Sequence, residues 1–143
     1  MSDIDIISQY REQFVTHLKG RIQLGEPKNL FEPVQYILGL GGKRLRPILT
    51  LMTAEAFGGK ADYAMDAALA VEMFHNFSLV HDDIMDDAPL RRGKTTVHEK
   101  WDVNTGILSG DAMLILSYQF FESYPAETYV ELTKLFSKTA LEV

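Results

Sequence analysis

The sequence has 143 residues, of which 46% are hydrophobic and 24% charged, and its formal net charge is −6. This length and composition are typical of one globular domain. The acidic balance argues against a nucleic-acid-binding protein, because such proteins normally present a basic face to the phosphates. The absence of cysteine excludes a disulfide framework and a thiolate metal site, and it is compatible with the cytoplasmic location that we expect.

The start of the chain and its hydropathy predict neither a signal peptide nor a membrane span. The first segment, MSDIDIISQY, is acidic where a signal peptide would be basic and then apolar. The sequence contains no run of apolar residues of the length that a spanning helix needs, about 18 or more. We therefore expect a protein without an integral membrane segment.

Hydrophobic residues recur at helical spacing along nearly the whole chain. Tyr10, Phe14 and Leu18 follow one another at helical intervals, which predicts a first helix that is broken by Gly20 and by residues 24–29. The same periodicity, with glycine and proline between segments, predicts five more helices. They are expected at residues 30–40, 46–59, 61 to about 87, 106–124 and 126–143.

These helices predict an all-α fold without a β-sheet. Residues 88–100 read as a loop because of Pro89 and Gly93, and no segment alternates at period two for long. The segment 61–80 is apolar nearly all round, so other helices should enclose it. The five remaining predicted helices, some of them short, are barely enough to surround it. Residues 1–143 are therefore expected to be the N-terminal part of a larger helical domain; the alternative is a natural, frayed C-terminus.

Four aspartates, Asp82, Asp83, Asp86 and Asp87, follow the most apolar helix. Asp82 and Asp86 share a helix face, with a rise of about 6 Å between them. Carboxylates at this separation repel one another, and the helix dipole disfavours anions at a C-terminal end. A bound cation relieves both effects, and carboxylate oxygens suit Mg²⁺. The alternative is a solvated, charged helix end.

His75 falls on the same helical stripe as Asp82 and Asp86. A histidine at such a position is either a core residue or a ligand, and the shared stripe makes both readings equally reasonable.

Two basic clusters flank the aspartates in the sequence. The first lies between a diglycine and a predicted helix start, a setting that favours phosphate, and comprises Lys43, Arg44 and Arg46. The second directly follows the aspartates and comprises Arg91, Arg92 and Lys94. Arginine grips phosphate oxygens bidentately. Each cluster alone also reads as solvated loop charge, but with the aspartates they predict two anion sites beside a metal site.

With these motifs the sequence resembles the trans-isoprenyl (polyprenyl) diphosphate synthases. The resemblance is carried by GGKRLRP, FHNFSLVHDDIMDDAPLRRGKTTVH and GILSGDAML, in this order and spacing. DDIMD is similar to the family's first aspartate-rich motif, DDxxD. The resemblance covers essentially all 143 residues but only the N-terminal half of a usual member, since the second aspartate-rich motif and the lysine-threonine motif are not in this sequence.

The resemblance implies an isoprenoid synthase-type helical bundle around a central cavity, usually in a homodimer. It implies Mg²⁺-assisted head-to-tail condensation of isopentenyl diphosphate with an allylic diphosphate. It also implies that residues 1–143 alone are inactive, because they supply only one of the two carboxylate walls that hold the metal ions.

The resemblance also assigns roles by position in the motifs. Asp82 and Asp86 would bind Mg²⁺, and the catalytic set would comprise Asp82, Asp83, Asp86 and Arg91, with Asp87 in support. Arg91 would bind the allylic diphosphate. Isopentenyl diphosphate would be bound by Lys43, Arg46, His75 and Arg92, and Arg44 and Lys94 would be further substrate contacts.

Product length in the family depends on bulk four and five residues before the first aspartate, which are Ser78 and Phe77 here. Phenylalanine at this place, without an insertion in DDIMD, implies a short-chain product of the farnesyl or geranylgeranyl type. The alternative is that Phe77 is only a core residue.

Three other functions remain open. A class I terpene cyclase uses DDxxD and the same ionisation step, but it needs no isopentenyl site, so GGKRLRP and His75 argue against it. A helical HD-type phosphohydrolase is suggested by His81-Asp82, although His17 is poorly spaced to complete its metal site. A non-catalytic or regulatory half-subunit is the third.

Overall fold

The structure, a computed structural model, describes residues 2–23 and 25–143. Seven α-helices and one short hairpin account for most of this part of the chain. In chain order the elements are α1 (Asp3–Arg21), α2 (Lys28–Gly39), α3 (Leu45–Ala56), α4 (Ala61–Met85), β1 (Leu90–Arg91), β2 (Lys94–Thr95), α5 (Val97–Lys100), α6 (Val103–Gln119), a 3-10 turn (Phe120–Ser123) and α7 (Ala126–Glu142).

Helix α4 is the centre of the fold and packs against α1, α2, α3, α5 and α6. Every residue from Ala64 to His81 is buried or half-buried, as expected for a helix that is apolar nearly all round. Small residues such as Ala68 and Ala70, both with no exposed surface, let the neighbouring helices approach closely. The predicted all-α bundle is confirmed, and α4 carries the aspartates to one end of it.

The prediction that residues 88–100 form a loop without any sheet was wrong. β1 and β2 pair antiparallel, with Leu90 opposite Thr95 and Arg91 opposite Lys94. The turn between them contains Arg92 at a φ of 52° and Gly93 at 73°, and positive φ at both central residues suits the twist of a tight hairpin. Strands of two residues are too short to produce a detectable alternation in the sequence.

The predicted helix boundaries agree with the structure to within a few residues. α1 ends at Arg21, one residue after Gly20, while Leu24 in the predicted break lies outside the described residues. α3 begins at Leu45, so Pro47 lies in its first turn, and it ends just before Gly58. None of the helices in the described part is long and apolar enough to cross a membrane.

Several helices of the described bundle expose apolar side chains, and on α3 these are Leu45, Leu49 and Met52. On α6 these are Ile107, Leu108 and Ile115. On α7, which has no fully buried residue, they are Val130, Leu135 and Leu141. The expectation that residues 1–143 are the N-terminal part of a larger domain stays a prediction.

Candidate active site

A cavity of about 670 Å³ brings together five of the predicted anion-binding residues, including Arg44. Lys43, Arg46, His75 and Arg92 all line it, and they come from the loop before α3, from α3, from α4 and from the hairpin turn. Arg11 of α1 lines the same cavity, and nothing in the sequence pattern singled it out. The tertiary structure therefore brings positive charge from three distant segments, α1, residues 43–46 and the hairpin turn, around one space.

The loop before α3 is shaped by glycine and held by arginine. Gly41 and Gly42 have φ values of 78° and 142°, which side-chain-bearing residues rarely adopt. Arg92 donates a hydrogen bond to the carbonyl of Gly41, and a Cβ on Gly42 would lie 3.1 Å from the guanidinium carbon of Arg92. Arg11 donates from Nε to the carbonyl of Lys43 at 3.2 Å. The diglycine thus lets Arg92 lie against the backbone that presents Lys43.

Arg44 does not face the cavity as a free cation. Its side chain is buried, with Nη1 donating to Oε1 of Glu72 at 2.8 Å and Nη2 donating to the carbonyl of Leu38 at 2.6 Å. Asn76 also donates to Glu72, at 3.3 Å. Arg44 and Glu72 both belong to the cavity wall, but this arrangement favours a structural role for Arg44, which joins α2 and α4, over the predicted substrate contact.

His75 lies beside Arg46, with 3.3 Å between Nε2 of the imidazole and Nη1 of the guanidinium. Burial lowers the pKa of His75 below its usual value, and the positive charges of Arg46, Arg92 and Arg91 lower it further, while Glu72 opposes them. A neutral imidazole can accept a hydrogen bond from Arg46 at Nε2. His75 therefore enters the basic cavity as a neutral residue.

A second cavity, of about 490 Å³, adjoins the first. Arg46 and His75 line both cavities, so the two spaces meet at this pair. The second cavity has apolar side chains in its wall, including Phe74 and Phe136, and it contains Asp82. A basic space thus lies beside a partly apolar space that carries an aspartate.

The four aspartates divide into two kinds at the C-terminal end of α4. Asp83 is buried, and Arg91 donates to both of its carboxylate oxygens at 2.8 Å. Asp82, Asp86 and Asp87 are exposed. The hydrogen bonds from Arg91 to Asp83 raise the pKa of Arg91, and the negative charges of Asp82 and Asp86 add to this effect.

The exposed pair fits a magnesium ion. Asp82 and Asp86 lie one helical turn apart, in the last turn and at the C-terminal cap of α4. Their hard carboxylate oxygens can be reached from solvent, and Mg²⁺ typically binds to one or two carboxylates together with water and phosphate oxygens. These two residues would hold the ion, whereas Asp83 is committed to Arg91.

The remaining predicted residues lie around this centre. Lys94 is exposed in β2, opposite Arg91. Ser78 lines the second cavity, and its hydroxyl donates to the carbonyl of His75 at 2.7 Å. Phe77 is half-buried and packs edge-on against the rings of Phe74 and His81, at centroid distances of 5.3 and 4.9 Å. Of the two contacting phenylalanines, Phe74 and Phe77, it is Phe74 that belongs to the described lining of the second cavity.

The histidines argue against an HD-type metal site. Nε2 of His81 lies 3.2 Å from the carbonyl of Ile107 and 3.7 Å from a carboxylate oxygen of Asp111, so its ring packs onto α6. His17 is hydrogen-bonded at 2.7 Å to Asp66, near the opposite end of α4. The two histidines therefore do not meet at one centre.

A family model described as polyprenyl synthetase matches residues 27–143. The chain belongs to this family. It is 40% identical over 120 residues to the geranylgeranyl pyrophosphate synthase of Geoglobus acetivorans, an alignment that covers 82% of this chain and 38% of that protein. It is 38% identical over 145 residues to the geranylgeranyl diphosphate synthase of Methanosarcina mazei, which covers 100% of this chain and 45% of that protein.

Solved structures of polyprenyl synthetases agree with the fold. A crystal structure of a geranylgeranyl pyrophosphate synthase superposes with a TM-score of 0.93 at 60% identity, over 95% of this chain and 42% of that one. The enzyme from Geoglobus acetivorans gives a TM-score of 0.90 at 37% identity, over 96% of this chain and 45% of that one. The chain thus spans less than half the length of these relatives.

Proposed function

We propose that the protein to which this chain belongs condenses isopentenyl diphosphate head-to-tail with an allylic diphosphate. The proposal is supported chiefly by the two cavities that meet at Arg46 and His75. The first is lined by Lys43, Arg46 and Arg92 and suits a diphosphate. The second has Asp82 and aromatic walls and suits a diphosphate on a metal ion together with a hydrocarbon chain.

The proposed reaction begins with loss of the allylic diphosphate. The allylic carbon–oxygen bond breaks, and its electron pair leaves with the diphosphate, so negative charge grows on the leaving oxygens while a carbocation forms. Arg91, which Asp83 holds by two hydrogen bonds, would stabilise that charge. The double bond of isopentenyl diphosphate then attacks the cation, a carbon–carbon bond forms, and the proton lost from the adduct is taken by the released diphosphate.

Residues of this chain also set the conditions for the reaction. Asp82 and Asp86 would hold Mg²⁺, which supplies positive charge for the departing diphosphate. Lys43, Arg46 and Arg92 would hold isopentenyl diphosphate in the adjoining cavity. Phe74 and Phe136 in the wall of the second cavity would limit access of water, which would otherwise quench the carbocation.

A short-chain product of the farnesyl or geranylgeranyl type completes this proposal. It is supported by the relatives, several of which are geranylgeranyl synthases, and by the aromatic side chains around the second cavity.

The activity is tested on the complete protein with isopentenyl diphosphate, Mg²⁺ and an allylic diphosphate, followed by chromatography of the dephosphorylated products. A condensed prenyl alcohol is expected. Arg46→Ala should raise the KM for isopentenyl diphosphate, while Lys60→Ala, an exposed position at the opposite end of α4, should not. Consumption of the allylic substrate alone, giving a hydrocarbon, would favour a terpene cyclase. No turnover by the complete protein, either alone or with a homologous subunit, would refute catalysis.

We further propose that residues 1–143 are the N-terminal half of one synthase domain, inactive on their own, and that the complete protein is a cytoplasmic homodimer. The exposed apolar side chains of α6 and α7 support the presence of covering partners. Light scattering on the complete protein tests the dimer, and an assay of residues 1–143 tests their inactivity. A monomeric mass would contradict the first proposal, and turnover by residues 1–143 the second.

A further inference from the structure

His98 is a buried histidine whose ring has no assigned role in the site described above. Its side chain is only 5% exposed, and within the described part of the chain neither Nδ1 nor Nε2 has a hydrogen-bond partner. Leaving a polar group buried without a partner costs free energy, so such groups are rare in folded proteins. A bound ligand would satisfy the ring nitrogens of His98.

Two carboxylates lie beside this ring. Nε2 of His98 is 3.8 Å from Oε1 of Glu99, and the potential ligand atoms of Asp87, His98 and Glu99 all lie within 4.8 Å of one another. Asp87 and Glu99 are both exposed, so their carboxylates can rotate without disturbing the core. This is the one such grouping of three among the described residues.

We propose that Asp87, His98 and Glu99 form a second metal site, separate from Asp82 and Asp86, that binds a divalent transition ion of the zinc class. Imidazole nitrogen is a good ligand for zinc, cobalt or nickel, whereas magnesium prefers oxygen alone. Zinc binds to nitrogen and oxygen at about 2.0–2.2 Å, and rotation of the exposed carboxylates toward the ring would let all three residues bind one ion. Water completes the coordination.

The position of this site gives it a structural consequence. Asp87 directly follows the C-terminal cap of α4, and His98 and Glu99 lie on α5. The hairpin with Arg91 and Arg92 lies between these points, so an ion bound there would tie together the two ends of the segment that carries both arginines. The ion would hold this segment in place whether or not the proposed reaction takes place.

The test uses Co²⁺ alone as a visible probe, added to the metal-free protein in which Asp82→Asn and Asp86→Asn remove the other carboxylate pair. A bound Co²⁺ equivalent with d–d absorption is expected, together with broadening or displacement of the ring ¹⁵N signals of His98 in nuclear magnetic resonance spectra. The affinity for Co²⁺ should fall by about tenfold or more in each of the variants His98→Gln, Asp87→Asn and Glu99→Gln. Loss even of an outer contact to a metal ligand typically lowers metal affinity 10–100-fold.

The matched control is His17→Gln, because His17 pairs with Asp66 on another part of α4. This variant should bind one equivalent of Co²⁺ with unchanged affinity. Since His98→Gln alters a buried residue, circular dichroism checks its fold, and the two surface variants carry the test if it is unfolded. Co²⁺ affinity that is insensitive to Asp87→Asn and Glu99→Gln, or ring signals of His98 that do not respond to Co²⁺, would overturn the proposal.

Discussion

Arg91 is joined to Asp83 by two parallel hydrogen bonds of 2.8 Å, from Nε to Oδ2 and from Nη2 to Oδ1. The carboxylate is buried and the guanidinium is partly exposed, with 5% and 24% of the side-chain surface accessible. A bidentate pair fixes the plane of the arginine as well as its place. Asp83 therefore acts on the proposed reaction through Arg91, as a positioning residue, while Asp82 and Asp86 remain free for metal.

Asp83→Ala should destabilise the protein because it leaves Arg91 without its fixed partner. We expect a loss of about 2 kcal/mol in the free energy of unfolding, the usual worth of hydrogen bonds to a charged group. Urea denaturation measures this loss, and Asp62→Ala, an exposed position on the same helix, is the control, expected to change stability by about 0.5 kcal/mol or less. Equal effects of the two variants would show that the pair contributes nothing.

Removal of the exposed carboxylates should have the opposite effect in the absence of metal. Asp82→Asn and Asp86→Asn each relieve charge repulsion at the C-terminal end of α4, and we expect a gain of about 0.3–1 kcal/mol. Millimolar Mg²⁺ should then stabilise the parent protein but not the double variant, since only a bound ion shifts the unfolding equilibrium. Thermal denaturation with and without Mg²⁺ checks both points, and equal stabilisation of both proteins would contradict the assignment.

His75 should make stability depend on pH in a defined direction. Its pKa in the folded protein lies below its usual value of about 6.5, so the unfolded chain takes up the proton first on acidification. The contribution of neutral His75 to stability is complete above about pH 6.5 and is lost as the pH falls through the lowered pKa of the folded state. Urea denaturation of the parent protein and of His75→Gln between about pH 5 and 8 should show a difference that shrinks toward acid. A constant difference would be the contrary result.

Gly110 should be intolerant of any side chain because the His81 ring packs against it. A Cβ at this position would overlap Nε2 of His81 and lie 2.5 Å from Cδ2. Gly110→Ala is expected to cost about 1–3 kcal/mol, the usual cost of overpacking. Gly39→Ala, where nothing lies within 4 Å of the added carbon, is the control. Combination with His81→Ala should recover most of the loss, and additive losses in a double-mutant cycle would refute this contact.

Phe77→Ala in the complete protein should lengthen the product, as the family resemblance implies. The structure suggests that it acts through Phe74, because the two rings are in contact and Phe74 is the one that lines the cavity with Asp82. Phe74→Ala should therefore lengthen the product at least as much. Chromatography of the products tests both variants, and an unchanged distribution in both would remove these residues from control of chain length.

The sequence determined the helices, the aspartate pair and the residue types around them. Helical periodicity and the glycine and proline breaks depend on neighbours within a few residues, so segments such as 61–87 were predictable almost to their ends. The spacing of Asp82 and Asp86 fixes their common face in the same local way. The hairpin at residues 90–95 was missed because two-residue strands carry no period.

Only the tertiary structure decided which of the charged residues work together. In the folded chain Arg11 lines the basic cavity, Arg44 is buried in an ion pair with Glu72, and Asp83 accepts hydrogen bonds from Arg91. The sequence does not distinguish between neighbouring charged residues, because it gives their formal charge but not their burial or their partners. Burial and the distance to a partner decide whether that charge is neutralised or left for a ligand, and both are set by contacts between residues that are far apart in sequence.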